Sequence, residues 1–267
     1  MTFRASDMAL CADTAISTIG NYCEQGLLAP ISGAINDPFR SFDPRQIPQI
    51  NLIKMLRELG LSQQQFLEYG QNRTPESTAR LFDGHAERLA AEIAARQEML
   101  DVLQSYAALI KEGSAATPGI EIRALPEQPI RRSTIKSHSE KKKSTAFLRH
   151  ACVDIRMNGN ASCPMGFVFN EFLDLLENPN QPAQLVSFDP QGPETRPAGE
   201  YLVGIVNCYY GERQDLHRRM ADYALRNGLE FFGPAYMVYL LDETSVTEPE
   251  QYLLQISVEV KRKEHGG

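Results

Sequence analysis

Residues 54–65 read Lys54-Met55-Leu56-Arg57-Glu58-Leu59-Gly60-Leu61-Ser62-Gln63-Gln64-Gln65, and this stretch decides how the first part of the chain folds. Gly60 follows an apolar helical pattern and suits the left-handed conformation that ends many helices. Ser62 and Gln65 have the Ser-x-x-Gln spacing of a capping box, which opens a new helix. The stretch therefore predicts a tight corner between two helices.

The segments upstream of this corner predict a small DNA-binding fold. They are a first helix near 4–11, a second near 14–25, the turn Gly26-Leu27-Leu28-Ala29-Pro30, and a wing that ends in Phe39-Arg40-Ser41-Phe42. Asp43-Pro44-Arg45-Gln46 then reads as a helix start, with Asp43 as the N-cap and Gln46 reaching back to it. In order and spacing these segments resemble the winged helix-turn-helix domain of the MerR family of transcription regulators.

A long helix is predicted after this domain. Thr74-Pro75-Glu76-Ser77 is a helix start, and the helix is expected to run to about Glu112. Its apolar residues recur at spacings of three, four and seven or eight, which favours an antiparallel or parallel coiled coil that seals a dimer, as in MerR-like proteins. The alternative is an amphipathic helix packed on its own domain. These apolar residues are Leu81, Leu89, Ile93, Leu100, Leu103, Ala107 and Ile110.

The second half of the chain contains a diverged repeat. Asn158-Gly159 and Asn227-Gly228 each suit a helix end, and each is followed by Pro-x-x-x-Val-x-aromatic, which suits a strand after a loop. The two valines, Val168 and Val238, are 70 residues apart. We expect a strand at 120–135, a helix at 144–157 and strands at 165–172 and 183–188. The second copy would have a strand at 200–208, a helix at 212–226 and strands at 235–241 and 252–260.

This duplicated β-α-β-β pattern resembles the GyrI-like effector-binding domain. The resemblance is carried by 121–126 as its opening strand, by Tyr209-Tyr210-Gly211 before the second helix, and by Gly233-Pro234 with Tyr239. The fold class expected from both resemblances is α+β. It comprises a winged helix-turn-helix over 1–75, a coiled-coil dimerisation helix over 76–113 and a GyrI-like domain over 119–264.

Composition places the chain among ordinary globular proteins. It has 267 residues, of which 42% are hydrophobic and 23% charged. No apolar run approaches the roughly 18 residues of a membrane span, and 1–4 lead straight into a helix, so a cytoplasmic protein without a membrane partner is expected. Its five cysteines are scattered and form no Cys-x-x-Cys pair, which argues against a disulfide framework, a metal site or a metal cofactor.

The charge of the first domain is unusual for a DNA-binding protein. Residues 1–70 contain five basic and seven acidic side chains, a net charge of −2, so little general attraction to phosphate is expected. Where the resemblance implies an arginine and two tyrosines in the second helix, this chain has Gly20, Asn21 and Tyr22. Tyr22 could instead pack in the core, and Arg40 could be a solvated charge. The expected DNA contacts are Ser17, Thr18, Asn21, Tyr22, Arg40 and Phe42.

Aromatic side chains dominate the predicted effector pocket, although any one of them could instead fill the core. Met237 stands where the GyrI-like resemblance implies a buried glutamate that balances a cationic drug. A thioether cannot neutralise a buried cation, so neutral or weakly polar aromatic ligands are expected unless Glu250 or Glu259 supplies the charge. The predicted ligand-binding residues are Phe167, Phe169, Tyr209, Phe232, Tyr236, Met237, Tyr239 and Tyr252.

The sequence therefore predicts a homodimeric transcription regulator, more activator-like than repressor-like, that senses small drug-like aromatic molecules. The resemblance implies double-stranded promoter DNA and RNA polymerase as partners. No catalytic motif is present. Glu212 and Asp215 lie near His217 in sequence, but acidic residues are expected at the start of a helix, so we expect no enzyme activity. The alternative is a ligand-sequestering or GyrI-like hydrolase resistance protein with a degenerate DNA-binding domain.

One basic cluster has two open interpretations. Lys141-Lys142-Lys143 with Arg131, Arg132 and Lys136 could bind an anionic ligand or flanking DNA, or could be a solvated loop.

Overall fold

The computed structural model describes residues 1–35, 37–71, 74–134, 144–160, 162–210 and 212–263. The predicted α+β class is confirmed, since helices accompany an antiparallel sheet. The chain divides into two compact units, Met1–Ala95 and Arg96–Gly267, and the division falls within the long helix. The domain limits predicted at 75, 113 and 119 therefore remain predictions.

The first unit is a helical domain with one small antiparallel pair of strands. Phe3 pairs with Phe42 across that pair. Asp13, in the turn between the first two helices, has a positive φ of 47°, which aspartate tolerates better than most residues. The elements are β1 (Phe3–Arg4), α1 (Ala5–Cys11), α2 (Ile16–Glu24), β2 (Ser41–Phe42), a 3₁₀ turn (Pro44–Gln46), α3 (Ile47–Glu58), α4 (Gln63–Gln71) and the start of α5 (Pro75–Ala115).

The corner between α3 and α4 has the predicted capping geometry. Gly60 adopts a φ of +81°, where a side chain would be strained. The Ser62 hydroxyl accepts from the Gln65 backbone N–H at 3.3 Å, and the Gln65 side-chain oxygen accepts from the Ser62 N–H at 2.9 Å. The capping box and the helix break predicted from this stretch are confirmed.

The start of α3 differs from the prediction. The Asp43 carboxylate caps a 3₁₀ turn by accepting from the Arg45 N–H at 2.9 Å. The Gln46 side chain does not reach back to Asp43; it donates to the Ala29 carbonyl at 3.2 Å, 17 residues away in sequence. A long-range acceptor therefore replaces the local one, and Gln46 fixes the loop that leads into the wing.

Two basic side chains help to hold the first unit together. Lys54 donates to the carbonyls of Ala12 and Asp13 at 2.8 and 2.7 Å, at the C-terminal end of α1, where a cation is favourable. The Arg57 guanidinium lies 5.1 Å from the ring centre of Tyr22 and 5.7 Å from that of Phe66. Both positive charges are thereby placed by the fold of the unit itself.

The second unit is built on one continuous eight-stranded sheet. Its strand order is β3-β8-β10-β9-β5-β6-β4-β7. The elements after α5 are β3 (Gly119–Leu125), β4 (Gln128–Arg132), α6 (Ser144–Asn158), β5 (Met165–Phe169), α7 (Phe172–Glu177), β6 (Gln184–Ser187), β7 (Glu194–Arg196), β8 (Gly199–Asn207), α8 (Leu216–Arg226), β9 (Leu229–Leu241) and β10 (Leu253–Arg262).

The predicted duplication is confirmed by the sheet topology. Each copy places its third strand between its first and second, giving β4-β6-β5 and β8-β10-β9. The copies join edge to edge where β5 pairs with β9 antiparallel. Gly166 pairs with Val238 and Val168 with Tyr236, so adding 70 to one pair generates the other. Phe167 pairs with Met237, its own counterpart, and these two residues therefore mark the pseudo-twofold axis.

The region predicted as one strand at 120–135 is two strands. Pro126 interrupts it, since proline has no N–H to donate to a ladder. β3 leaves the first copy and pairs with β8, whereas β4 pairs with β6 and β7. Residue 135 lies outside the described residues. α7 and β7 were not predicted, and β9 begins at Leu229 rather than at 235.

The two faces of the sheet are covered differently. On one face, residues such as Leu202 and Ile256 pack with α7 and α8, and Leu185 packs with α6. On the other, Val203, Tyr236 and their neighbours pack with the C-terminal part of α5. Alternation along each strand divides the residues between these faces. A ligand that contacts one face is therefore screened from the other.

Two glycine-to-alanine variants should have opposite effects. At Gly166 a Cβ would lie 2.4 Å from the Met237 carbonyl oxygen on the facing strand, so Gly166→Ala should destabilise the protein by about 1–3 kcal/mol. At Gly84, in α5, a Cβ meets nothing within 4 Å, so Gly84→Ala should stabilise by about 0.5–1 kcal/mol. Urea unfolding followed by circular dichroism measures both. Equal stability of the two variants would contradict the close β5–β9 contact.

Candidate functional site

The exposed face of α2 is polar. Ser17 and Asn21 are exposed and Thr18 is half-buried, whereas Ile19 and Cys23 are buried against the rest of the unit. Ser17 and Asn21 are four residues apart, so they lie on one side of the helix. This is the arrangement expected of a helix that presents hydroxyl and amide groups to a partner.

Two of the predicted DNA contacts lie in the core instead. Tyr22 and Phe42 are 1% and 0% exposed, and both belong to the hydrophobic cluster of the first unit. Burial raises the pKa of Tyr22, and the nearby Arg57 opposes this effect. The structure thus places both rings in packing positions, and the surface contacts left from the prediction are Ser17, Thr18, Asn21 and Arg40.

The wing brings Arg40 to α2. It is a hairpin in which the Ile31 N–H donates to the Ser41 carbonyl at 2.8 Å and the Ser41 N–H to the Ser32 carbonyl at 3.0 Å. A Cβ at Gly20 would lie 3.4 Å from an Arg40 guanidinium nitrogen. The wing arginine therefore lies over the position on α2 where the helix itself has no side chain. Sequence reasoning identified both residues but not this contact.

Three other basic residues of the first unit, Arg4, Arg40 and Arg45, make different contacts. Arg45 pairs with Asp43 at 2.5 Å, and this contact lowers the pKa of Asp43 to about 2. Arg4 lies 5.9 Å from the ring centre of Phe39 in the wing, a contact that the sequence did not reveal. Arg40 is half-buried and donates to the Ile35 and Asp37 carbonyls at 2.5 and 3.4 Å, so the wing holds it while it lies against α2.

Three predicted ligand residues occupy the helix-covered face of the sheet. Phe169 and Met237 are 0% and 6% exposed within the core formed with α7 and α8, and Phe167 packs against the same core. These side chains were expected to face a cleft, but they face the helices that cover the sheet. Met237 therefore packs in the core and does not occupy the ligand-facing position predicted from the sequence.

Two further predicted ligand residues, Tyr236 and Phe232, lie apart from these three. Tyr236 is buried on the opposite face, and its hydroxyl accepts from Arg132 at 3.1 Å. Phe232 is exposed, and the Lys261 ammonium lies 3.7 Å from its ring centre. Neither lies beside Phe167, Phe169 or Met237 on a common surface.

The last three join Tyr210 in a cluster of four tyrosines. The ring centres of Tyr209, Tyr210, Tyr239 and Tyr252 are 4.6–6.4 Å apart in the pairs that touch. The Tyr210 hydroxyl donates to the Glu243 carboxylate. These rings pack on one another, so the cluster is a compact aromatic patch, with Tyr209 and Tyr210 exposed. Gly211, quoted in the predicted motif, lies outside the described residues.

A cavity of about 560 Å³ lies on the sheet face opposite to the helices α7 and α8, within the second unit. Its described lining contains none of the eight predicted ligand residues. Gln255, a polar residue in the buried run 253–258 of β10, was the sequence signal that could have indicated it. The lining residues are Asp101, Gln104, Ser105, Ala108, Leu109, Glu112, Leu125, Pro126, Glu127, Gln128, Pro129, Pro164, Phe188, Pro190, Arg196, Val238 and Gln255.

Arg196 is the buried cation of this cavity. Its side chain donates to the Pro126 carbonyl at 3.4 Å and lies 5.6 Å from the ring centre of Tyr201. Burial lowers the pKa of Arg196, whereas the nearby Tyr201 opposes this shift. Glu259 is half-buried on the same strand as Gln255, and Glu250 is exposed, so neither acid is the deeply buried group that the sequence allowed for.

The other candidate clusters are ion-paired or shallow. Arg131 pairs with Asp189 at 2.9 Å and Arg132 with Glu194 at 3.4 Å, while 136 and 141–143 lie outside the described residues. Glu212, Asp215 and His217 line an open depression, in which Asp215 pairs with Arg218 at 3.6 Å and burial lowers the pKa of His217.

Two further properties concern only the described part of the chain. It holds no group of three or more His, Cys, Asp or Glu side chains placed to bind a metal ion. Within the same residues, no helix is both long and apolar enough to cross a membrane.

No family model matches this chain, and no curated protein matches it. Among solved structures, the EcmrR–DNA complex in EcmrR-RPo is similar over 97% of this chain and 100% of its own, with 14% identity and a TM-score of 0.40. HiNmlR, a MerR family regulator lacking the sensor domain, bound to promoter DNA, matches 43% of this chain and 94% of its own, with 22% identity and a TM-score of 0.35. A hydrolase from Listeria innocua matches 57% of this chain and 97% of its own, with 14% identity and a TM-score of 0.34. Similarities this low carry no functional argument.

Replacing Met237 by glutamate tests the placement of this residue. Met237→Glu should destabilise the protein by more than about 3 kcal/mol at pH 8, because it buries a carboxylate without a counter-charge. Burial raises the pKa of such a carboxyl in the folded state, so the loss should be smaller near pH 4, where the folded and unfolded forms are both largely protonated.

Unfolding midpoints at both pH values measure this effect, with Met165→Glu as the matched exposed control. A stable Met237→Glu protein that gains affinity for aromatic cations would instead support the ligand-facing position predicted from the sequence.

Proposed function

We propose that this protein is a homodimeric, effector-responsive transcription regulator that binds promoter DNA and has no catalytic step. The single observation that carries the proposal is the surface on which the wing arginine, Arg40, lies against the polar face of α2. The other parts of the proposal are the long helix as the dimer contact and the cavity of the second unit as the effector site.

The α2 surface suits double-stranded DNA. An α-helix fits the major groove, where an amide such as that of Asn21 can pair with adenine and a hydroxyl such as that of Ser17 with several bases. Arg40 would neutralise a phosphate or contact a base edge beside Gly20. Because the unit carries few cations at its surface, we expect weak binding by one copy and a requirement for two copies on one site.

A stripe on α5 supports dimerisation. Several large apolar side chains of this helix are exposed. Exposed apolar residues at regular spacing usually mark an interface with another chain. Together with Ala86 and Arg96, five of these residues are spaced alternately by four and three, which is the spacing of the seam of a two-stranded coiled coil. The seam positions are Phe82, Ala86, Leu89, Ile93, Arg96, Leu100 and Leu103.

The cavity supports a small-molecule effector. Its volume lies within the range of about 300–1,000 Å³ that is usual for ligand sites, and its walls combine nine apolar residues with eight polar or charged ones. The proposal takes the effector to be a small aromatic molecule that alters promoter binding or activation. An activator acting with RNA polymerase is the form of regulation that the MerR resemblance implies.

Titration of the DNA upstream of its own coding sequence tests the regulator. Asn21→Ala should weaken binding by about 1–3 kcal/mol through loss of a base contact. Arg40→Ala should weaken binding to all sequences and reduce the salt slope by about 1, if its contact is to phosphate. Fluorescence anisotropy at low and moderate salt measures both effects.

Arg45→Ala is the matched control, because it removes the same charge from a side chain already paired with Asp43. It should leave affinity nearly unchanged. If the wild type shows no saturable, sequence-dependent binding with or without aromatic ligands, the alternative of a ligand-binding resistance protein takes precedence.

The dimer is tested by charging the seam of α5. Ile93→Glu with Leu100→Glu should convert the dimer to monomer, because paired glutamates would face each other in the seam. Sedimentation velocity measures the state. Ala91→Glu lies on the far side of the helix from the seam and should remain dimeric. A wild-type monomer at tens of micromolar would contradict the coiled coil.

A further inference from the structure

The cavity of the second unit contains a buried positive charge that its own protein does not fully satisfy. Arg196, from β7, is 7% exposed, and Gln255, from the central strand β10, is 4% exposed. Both side chains line the cavity. The edge strand β7 and the third strand of the second copy, β10, thereby bring one cation and one amide to the same cavity.

Both groups retain hydrogen-bonding capacity. Among the described residues, the Arg196 Nε and the Gln255 Oε1 are buried without a hydrogen-bond partner. The contact that Arg196 makes with the Pro126 carbonyl is long, at 3.4 Å. Buried polar groups are normally satisfied, so these two atoms point to a missing partner. Gln255 Oε1 is an acceptor, so the amide would have to turn by half a rotation to present its NH2 donor to an anionic partner.

Arg196 also lacks a direct ion pair. It has no ion pair within 4 Å among the residues that the structure describes, whereas Glu112, the cavity acid with an electrostatic effect on it, pairs with Arg123 at 3.6 Å. A buried guanidinium is costly without an anion, and a carboxylate can accept two parallel hydrogen bonds from it.

We propose that the cavity binds a small aromatic monocarboxylate, with its carboxylate on Arg196 and Gln255 and its ring among Leu109, Phe188 and Val238. This proposal rests on the effector site proposed above and names its ligand class. The apolar lining supplies area for a flat ring, and the guanidinium supplies the one strong polar contact.

The remaining charges of the cavity restrict the ligand further. Asp101 and Glu112 contribute carboxylates from α5, and Glu127 contributes one from the turn between β3 and β4. A second negative charge on the ligand would meet these acids, so a monoanion is preferred to a dianion. A cationic aromatic would be repelled by Arg196 at the buried end.

Calorimetric titration of the full chain with three matched probes tests the ligand class. The probes are 2-naphthoate, 2-naphthamide and 2-naphthylmethylammonium, which share a ring system and differ in charge. We expect naphthoate to bind at least about tenfold more tightly than the amide, and the cation to bind most weakly. Arg196→Met should remove the preference for naphthoate while leaving amide affinity unchanged, and Arg196→Lys should retain part of it.

Arg132→Gln is the matched control, because it removes the same charge from a side chain that lies outside the cavity lining and pairs with Glu194. It should keep the naphthoate preference. Amide binding by Arg196→Met shows that the cavity is still folded; if this variant loses both probes, Arg196→Lys and Gln255→Leu provide the decision, and an unchanged preference in both overturns the proposal.

Equal or tighter binding of the amide by the wild type overturns the carboxylate proposal and leaves the effector site intact. Absence of binding by any probe at millimolar concentration overturns both the ligand class and the cavity as an aromatic site. Promoter titration of the same sample separates these failures from failure of the regulator proposal, because it depends on α2, the wing and the dimer contact and needs no ligand in the cavity.

Discussion

The antiparallel contact between β5 and β9 is the constraint on which the second unit depends. It joins two β-α-β-β copies into one sheet and leaves no edge between them. Because Phe167 faces its own counterpart, Met237, each copy must present the same register to the other. This symmetry places the equivalent helices α6 and α8 on one face of the sheet and leaves the opposite face for α5 and the cavity.

A second constraint acts in the first unit, where few positive charges must serve both folding and function. Lys54 closes the end of α1, Arg57 stacks on two rings and Arg45 pairs with Asp43. Arg40 donates to the Ile35 and Asp37 carbonyls within the wing, and Gly20 leaves room for it on the surface of α2. The Arg40 guanidinium can therefore lie against α2 because Gly20 has no side chain there.

The sequence was most informative where interactions are local. The capping box at Ser62, the glycine at the end of α3 and the 70-residue repeat all depend on neighbouring residues or on internal comparison, and all were predicted correctly. It was less informative for the ligand residues, because alternation along a strand shows which residues share a face but not which face a helix covers. Phe169 and Met237 were therefore assigned to a cleft, although they lie beneath helices.

The sequence by itself determined the α+β class, the long helix and the duplication, since each follows from periodicity, capping and repeat spacing. Only the tertiary structure decided which polar groups share a space. Arg196 and Gln255 are 59 positions apart and lie on β7 and β10, which have four strands between them in the sheet, yet both line one cavity. Arg40 meets Gly20 only when the wing folds back. The physical reason is that such contacts depend on long-range strand order and hairpin closure, which local sequence does not encode.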